Sequence, residues 1–178
     1  MVITKTSIYC SEDFYLSSNQ NPFQDKIPPV IGCLISDKDG KSIVSFEVFK
    51  GAIQFFMKHK KQFKMDLIPM YVSAIELLSQ ELNIQGLPGI DINGDNLKLK
   101  IYFTFEKFTA TLFLNPKIDF SRIEDFTKSY LSNLFEEFDH ELISSKNVSS
   151  DEFITFLERV GLCWLLDLND EYLSLTKN

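Results

Sequence analysis

The chain has 178 residues, a net charge of -7, 44% hydrophobic and 24% charged residues. That length supports one domain with a proper core, and the ordinary composition excludes a fibrous or disordered chain. The acidic balance, with Arg122 and Arg159 as the only arginines, argues against general binding to nucleic acid, which rewards excess basic charge and guanidinium forks.

Phe occurs 17 times against one Trp, so the core is expected to be Phe-rich, with some rings left for an interface. Cys10, Cys33 and Cys163 are odd in number and form no CxxC, which speaks against a disulfide framework or a zinc site and fits a reducing cytoplasm. Cys33 and Cys163 sit in apolar runs and are expected to be buried, inert thiols. Met1 to Lys5 lacks the apolar centre of a signal peptide, and no run approaches the roughly 18 apolar residues of a membrane span. A soluble cytoplasmic protein is expected.

Residues 1–29 read as a loosely organised arm, broken by Ser17, Ser18, Asn19 and Pro22 and closed by Pro28-Pro29. Val30 to Ile35 reads as a buried strand, Asp37-Lys38-Asp39-Gly40 as a tight turn, and Ile43 to Phe49 as the returning strand of a hairpin. Residues 50–64 fit either a loop leading into a helix or one basic amphipathic turn. Asp66 to Leu82 is a helix: Pro69 suits its first turn, and Leu67, Met70, Tyr71, Ala74, Ile75, Leu78 and Leu82 keep i, i+3, i+4 spacing. It is expected to end before Gly86.

Three strands follow: Gly89 to Ile92, Leu97 to Phe103 and Phe108 to Leu114, the first two joined by Asn93-Gly94-Asp95-Asn96. Ser121 with Glu124 has the spacing of a capping box for a helix carrying Ile123, Phe126, Tyr130, Leu131, Leu134, Phe135, Phe138 and Leu142. Ser144 to Ser150 reads as a linker. Ser149 with Glu152 caps a last helix holding Phe153, Phe156, Leu157, Val160, Leu162, Trp164 and Leu165. The domain thus spans 30–143, with 144–178 a linker and helix extending it. The class is α+β: a five-stranded, mainly antiparallel sheet with helices, in the order β-β-α-β-β-β-α-α.

That order, with the hairpin from Ile31 to Val48 and the strand pair from Leu97 to Leu114 closing at Asn115-Pro116, resembles longin and roadblock domains. The resemblance covers about Val30 to Ile143. It implies a non-catalytic scaffold that binds a small GTPase, a like domain or a second copy of itself, in a trafficking or GTPase-regulatory complex. The Lys-, Ile-, Phe- and Asn-rich composition is similar to that of archaeal proteins carrying such domains. A small-molecule sensor with an apolar pocket is the alternative, since a sheet covered by helices can enclose one.

No catalytic constellation, cofactor site or metal site is signalled. His59 lies among lysines, and His140 sits in the acidic run Glu136 to Glu141, best read as a solvated helix face. Asp91, Asn93 and Asp95 resemble part of a calcium loop but lack its closing glutamate. Gly86-Leu87-Pro88-Gly89 follows a helix, so it is not a phosphate loop, and there is no GxSxG elbow. The basic stretch of residues 50–64 is the one local candidate for partner binding. Phe55, Phe56 and Met57 offer apolar anchors, and Lys58, Lys60 and Lys61 suit an acidic protein or, by peripheral association, a lipid surface. The blander reading is a strand end and a solvated loop.

Overall fold

The computed structural model describes residues 27–57, 65, 67–144 and 150–176, and of 137–144 and 150–153 the backbone course alone. Most of the expected arm, His59, Lys58, Lys60 and Lys61, the side chains around His140, the cap at Ser149 and linker residues 145–149 lie outside the described residues.

β1 (Val30–Asp37) and β2 (Ser42–Glu47) form the expected hairpin. Gly40 takes φ 84° in its turn, and the Lys41 N–H donates to Asp37 Oδ1 at 2.7 Å. Then come α1 (Ala52–Phe56), α2 (Leu67–Glu81), β3 (Gly89–Asn93), β4 (Lys98–Tyr102) and β5 (Phe108–Leu114). A 3-10 turn at Phe120–Arg122 leads into α3 (Glu124–Ser144), and α4 (Ser150–Leu175) closes the chain. The strands run β2-β1-β5-β4-β3, each pair antiparallel. This is the α+β architecture the sequence implies, with α1 as an addition.

β1 and β5 sit inside the sheet and are buried on both faces, which explains why they read as near-continuous apolar runs. The register sets Phe46, Cys33, Leu112 and Lys100 in one row across the sheet. On that face lie α3 and α4. Trp164 of α4 meets Phe46 edge-on at 5.9 Å, Phe135 of α3 stacks on Phe108 at 4.9 Å, and Lys100 pairs with Glu124 at 3.3 Å. Tyr130 stacks on Trp164 at 4.4 Å and so joins the two helices. The opposite face carries α1 and α2. Ile53 of α1 lies so close over Gly32 that a Cβ there would meet it at 2.9 Å.

One detail differs from expectation. Ser121 does not cap α3: it lies inside the 3-10 turn, where its Oγ donates to Asp119 Oδ1 at 2.6 Å, and Glu124 instead reaches Lys100 and Lys128. Lys100 of the sheet and Lys128 one turn along the helix hold the carboxylate that a capping box would use. α2 ends at Glu81, before Gly86 as expected. Asn83 takes φ 57°, Ile84 N–H donates to Ser79 O and Asn83 N–H to Gln80 O, the paired bonds of a Schellman motif.

Candidate docking surface

A helix of period 3.6 sorts its side chains by about 100° per residue. On α2 and the residue after it, Leu67, Met70, Tyr71, Ala74, Leu77, Leu78, Glu81 and Leu82 fall within an arc of about 140°. Seven of these eight are apolar, so hydrophobic periodicity would turn this arc to the sheet. The structure turns it to water. Met70 is 59% exposed, Tyr71 68%, Leu78 56% and Leu82 63%, with Leu67 and Leu77 alongside. The sheet side of α2 is instead Ile68, Pro69, Val72, Ser73, Ile75, Glu76 and Ser79, a thinner and more polar set.

That inner side rests on a small cluster of its own, in which Val72, Ile101 and Phe103 are packed with Ile68, Ile75, Leu87 and Ile90. Polar contacts from the β1–β2 turn complete the seat. Lys38 Nζ donates to Glu76 Oε1 at 2.8 Å and to the Phe103 carbonyl at 3.1 Å, while Ser73 Oγ donates to the Lys38 carbonyl at 2.7 Å. Gly40 lies directly under Pro69 and Met70, and a Cβ there would sit 3.1 Å from the helix backbone.

β3 is the edge strand beside this helix, its outer ladder unpaired among the described residues. Ile92 faces the α2 side of the sheet and is exposed. The exposed apolar area of residues 67–84 is on the order of 700 Å2 from its fractional exposures, above the few hundred that a monomer ordinarily shows in one patch.

The basic-stretch candidate resolves only in part. Phe55 is 58% exposed and Phe56 6%, with Met57 half-buried, while Lys58, Lys60 and Lys61 lie outside the described residues. Phe49, Phe55 and Phe56 pack edge-on, with centroids 5.1 to 6.0 Å apart. Phe56 thus anchors α1 and Phe55 stands outward. The Glu47 carboxylate accepts the Gly51 N–H at the start of α1. Burial pushes its pKa up, and the backbone N–H groups of Gly51, Ala52 and Ile53 oppose that shift. Asn96 Nδ2 donates to Met57 O at 3.3 Å and ties this corner to the β3–β4 turn.

Among the described residues the buried thiol and phenol are held in their neutral forms. Burial pushes the Cys33 thiol well up, the opposite of what a nucleophile needs. The Tyr102 hydroxyl is raised by burial first and then by the carboxylates of Glu124 and Asp91. Cys163 is half-buried rather than fully buried as expected. Among the described residues no group of three or more His, Cys, Asp and Glu gathers to hold a metal, and no described helix is long and apolar enough to cross a membrane.

No protein-family model and no curated protein matches the chain. Among solved structures, the chain is similar to the gliding protein MglB from Thermus thermophilus, at 14% identity and a TM-score of 0.43 over 56% of this chain and 71% of that one. It is also similar to a roadblock/LC7 domain from Streptomyces avermitilis, at 11% identity and a TM-score of 0.39 over 54% of this chain and 74% of that one. The second is a domain of the type that the element order resembles. At these values the likeness concerns the course of the backbone alone.

Proposed function

We propose that the chain is a non-catalytic protein-interaction scaffold of longin/roadblock type, working in the cytoplasm, with the outer face of α2 as its docking surface. The observation that carries this reading is the apolar arc turned to water while the helix rests on a smaller, more polar side. Such a face is stable in solution only at a cost that a partner removes, since burial yields about 25 cal/mol per Å2. A standard docking surface covers about 800 Å2 a side. The arc with the β3 edge is of that size.

The partner fitted to this face is a like domain, a second copy included, or a small GTPase in a trafficking or GTPase-regulatory complex. The support for that choice is the element order and the absence of an activated nucleophile among the described side chains. Phe55 and Met57, backed by the buried Phe56, form an auxiliary contact with Lys58, Lys60 and Lys61 for an acidic partner. The test is light scattering of the purified protein mixed with small GTPases of its own source, loaded with GDP or GTP. A nucleotide-dependent complex, lost in Leu78→Glu, is expected. A GTPase complex that survives Leu78→Glu unchanged would place the docking surface elsewhere.

A further inference from the structure

We infer that Lys38 is the positioning residue that sets the roll of α2 and so keeps its apolar arc presented. The inference rests on the docking reading above and concerns how that face is held outward. α2 has two sides of unequal character, and the more apolar one faces water. Hydrophobic burial alone would roll the helix to bring Leu78, Met70 and Tyr71 onto the sheet. Something specific must oppose that roll, and the contacts converge on one residue. Lys38 binds α2 at two successive turns, through its carbonyl to Ser73 and through its ammonium to Glu76. The same ammonium reaches the Phe103 carbonyl, at the end of β4, and lies 5.9 Å from the Phe103 ring centroid.

Ser73 and Glu76 are three residues apart, so they share a side of the helix. Holding both fixes the rotation of α2 about its axis, and among the described residues Lys38 is the counter-charge of the sheet-ward glutamate. Glu76 has 18% of its side chain exposed. Without its partner it would be a largely buried, unpaired carboxylate, which is costly. The cheapest relief is to turn that side to water. The same rotation carries the apolar arc toward the sheet and hides the docking face.

This makes a double substitution informative. Lys38→Met alone leaves the buried carboxylate and drives the roll. Lys38→Met with Glu76→Met replaces the charge with an apolar side chain on the inner side and keeps the Ser73 bond to the backbone carbonyl of residue 38, so burial then favours the inner side staying on the sheet. Reporter cysteines read the roll without any partner: Ala74→Cys on the outer arc, where the added sulfur has room in solvent, and the near-isosteric Ser79→Cys on the inner side. Labelling by a small maleimide is followed peptide by peptide in mass spectrometry, so the native cysteines stay in place.

With Lys38 present, the Ala74→Cys site labels at least about tenfold faster than the Ser79→Cys site, which opens only by local fluctuation. In Lys38→Met the ratio collapses or inverts, and in the double variant it returns. An unchanged ratio in Lys38→Met overturns the inference. So does equal, fast labelling of both sites in Lys38→Met, which means that α2 has detached rather than rolled, and so does a double variant that fails to recover. The docking reading fails by a different sign: Leu78→Glu that changes no association sinks it and leaves the labelling pattern intact.

Discussion

Asn169 is the residue whose removal should be felt furthest from its own helix. It lies in α4, 1% exposed, against the first residue of β1. Its Oδ1 accepts the Val30 N–H at 2.8 Å, and its Nδ2 donates to Val30 O at 2.9 Å and to Leu165 O at 2.7 Å. The amide thus meets Val30 as a neighbouring strand would, at the point where the chain enters the sheet. Asn169→Leu keeps the branched shape and the number of heavy atoms and removes these bonds, leaving a buried N–H without its side-chain acceptor and a carbonyl without its side-chain donor. Each such group costs about 1–3 kcal/mol, so a loss of about 3 kcal/mol is expected. Urea unfolding followed by Trp164 fluorescence measures it, since that ring is buried in the same helix. A loss under about 1 kcal/mol would refute the reasoning, because the groups would then be satisfied elsewhere. Asn169→Asp sharpens the test. An aspartate buried there has its folded pKa raised, so its penalty is largest at neutral pH. The penalty shrinks as pH falls through the raised folded pKa and is gone below about 4, where the unfolded state is protonated too.

Other consequences are local. A Cβ at Gly161 would lie 2.5 Å from the Phe46 ring, which Trp164 holds edge-on, so Gly161→Ala should lose about 1–3 kcal/mol in denaturant unfolding despite its better helix propensity. Asn83→Gly should leave the fold intact and stabilise it by a few tenths of a kcal/mol or more, whereas Asn83→Val, forced into the left-handed region, should cost about 1–2 kcal/mol of thermal stability. Burial pushes Glu124 up, but the hydrogen bond from Lys128 and the charge of Lys100 outweigh it and hold the carboxyl below its usual range. A folded pKa depressed in this way adds stability above the unfolded value, about 4.3, that is lost as pH falls through the folded one. Glu124→Gln should therefore lower stability modestly at neutral pH and flatten its acid limb, so that the variant and the native chain converge as pH falls, read by urea midpoints between pH 6 and pH 3.

The hairpin was readable because Asp37 to Gly40 supplies turn chemistry between two apolar runs, and β4 alternates as a strand with differently covered faces must. The bounds of α2 were readable to within a residue, since Asp66 to Leu82 brackets the observed Leu67–Glu81. Its direction was not. Periodicity defines an arc, and the arc of Met70, Tyr71 and Leu78 looks the same whether it meets the sheet or water. The usable signal lay opposite, in Pro69, Val72, Ser73 and Ser79: small or flat side chains suit close approach of a helix to a sheet, and Glu76 needs a cation such as Lys38 nearby. In the basic stretch, neighbouring phenylalanines cannot both face inward on one helical turn, so Phe55 points out while Phe56 fills the core. Sequence adjacency alone does not say which. The capping box was misplaced for a different reason: Lys100, distant in sequence, claims Glu124.

The central claim is that the outer face of α2 docks protein. Its most direct test is the solution mass across a concentration series, by light scattering, of the native chain and of Leu78→Glu, with the GTPases added in a second arm. The account predicts association of the native chain, with itself or with a GTPase, that Leu78→Glu weakens at least about a hundredfold, as expected when a carboxylate is placed in the middle of an apolar contact. A native chain that stays monomeric and binds none of them, or a Leu78→Glu variant that associates as the native chain does, would contradict it.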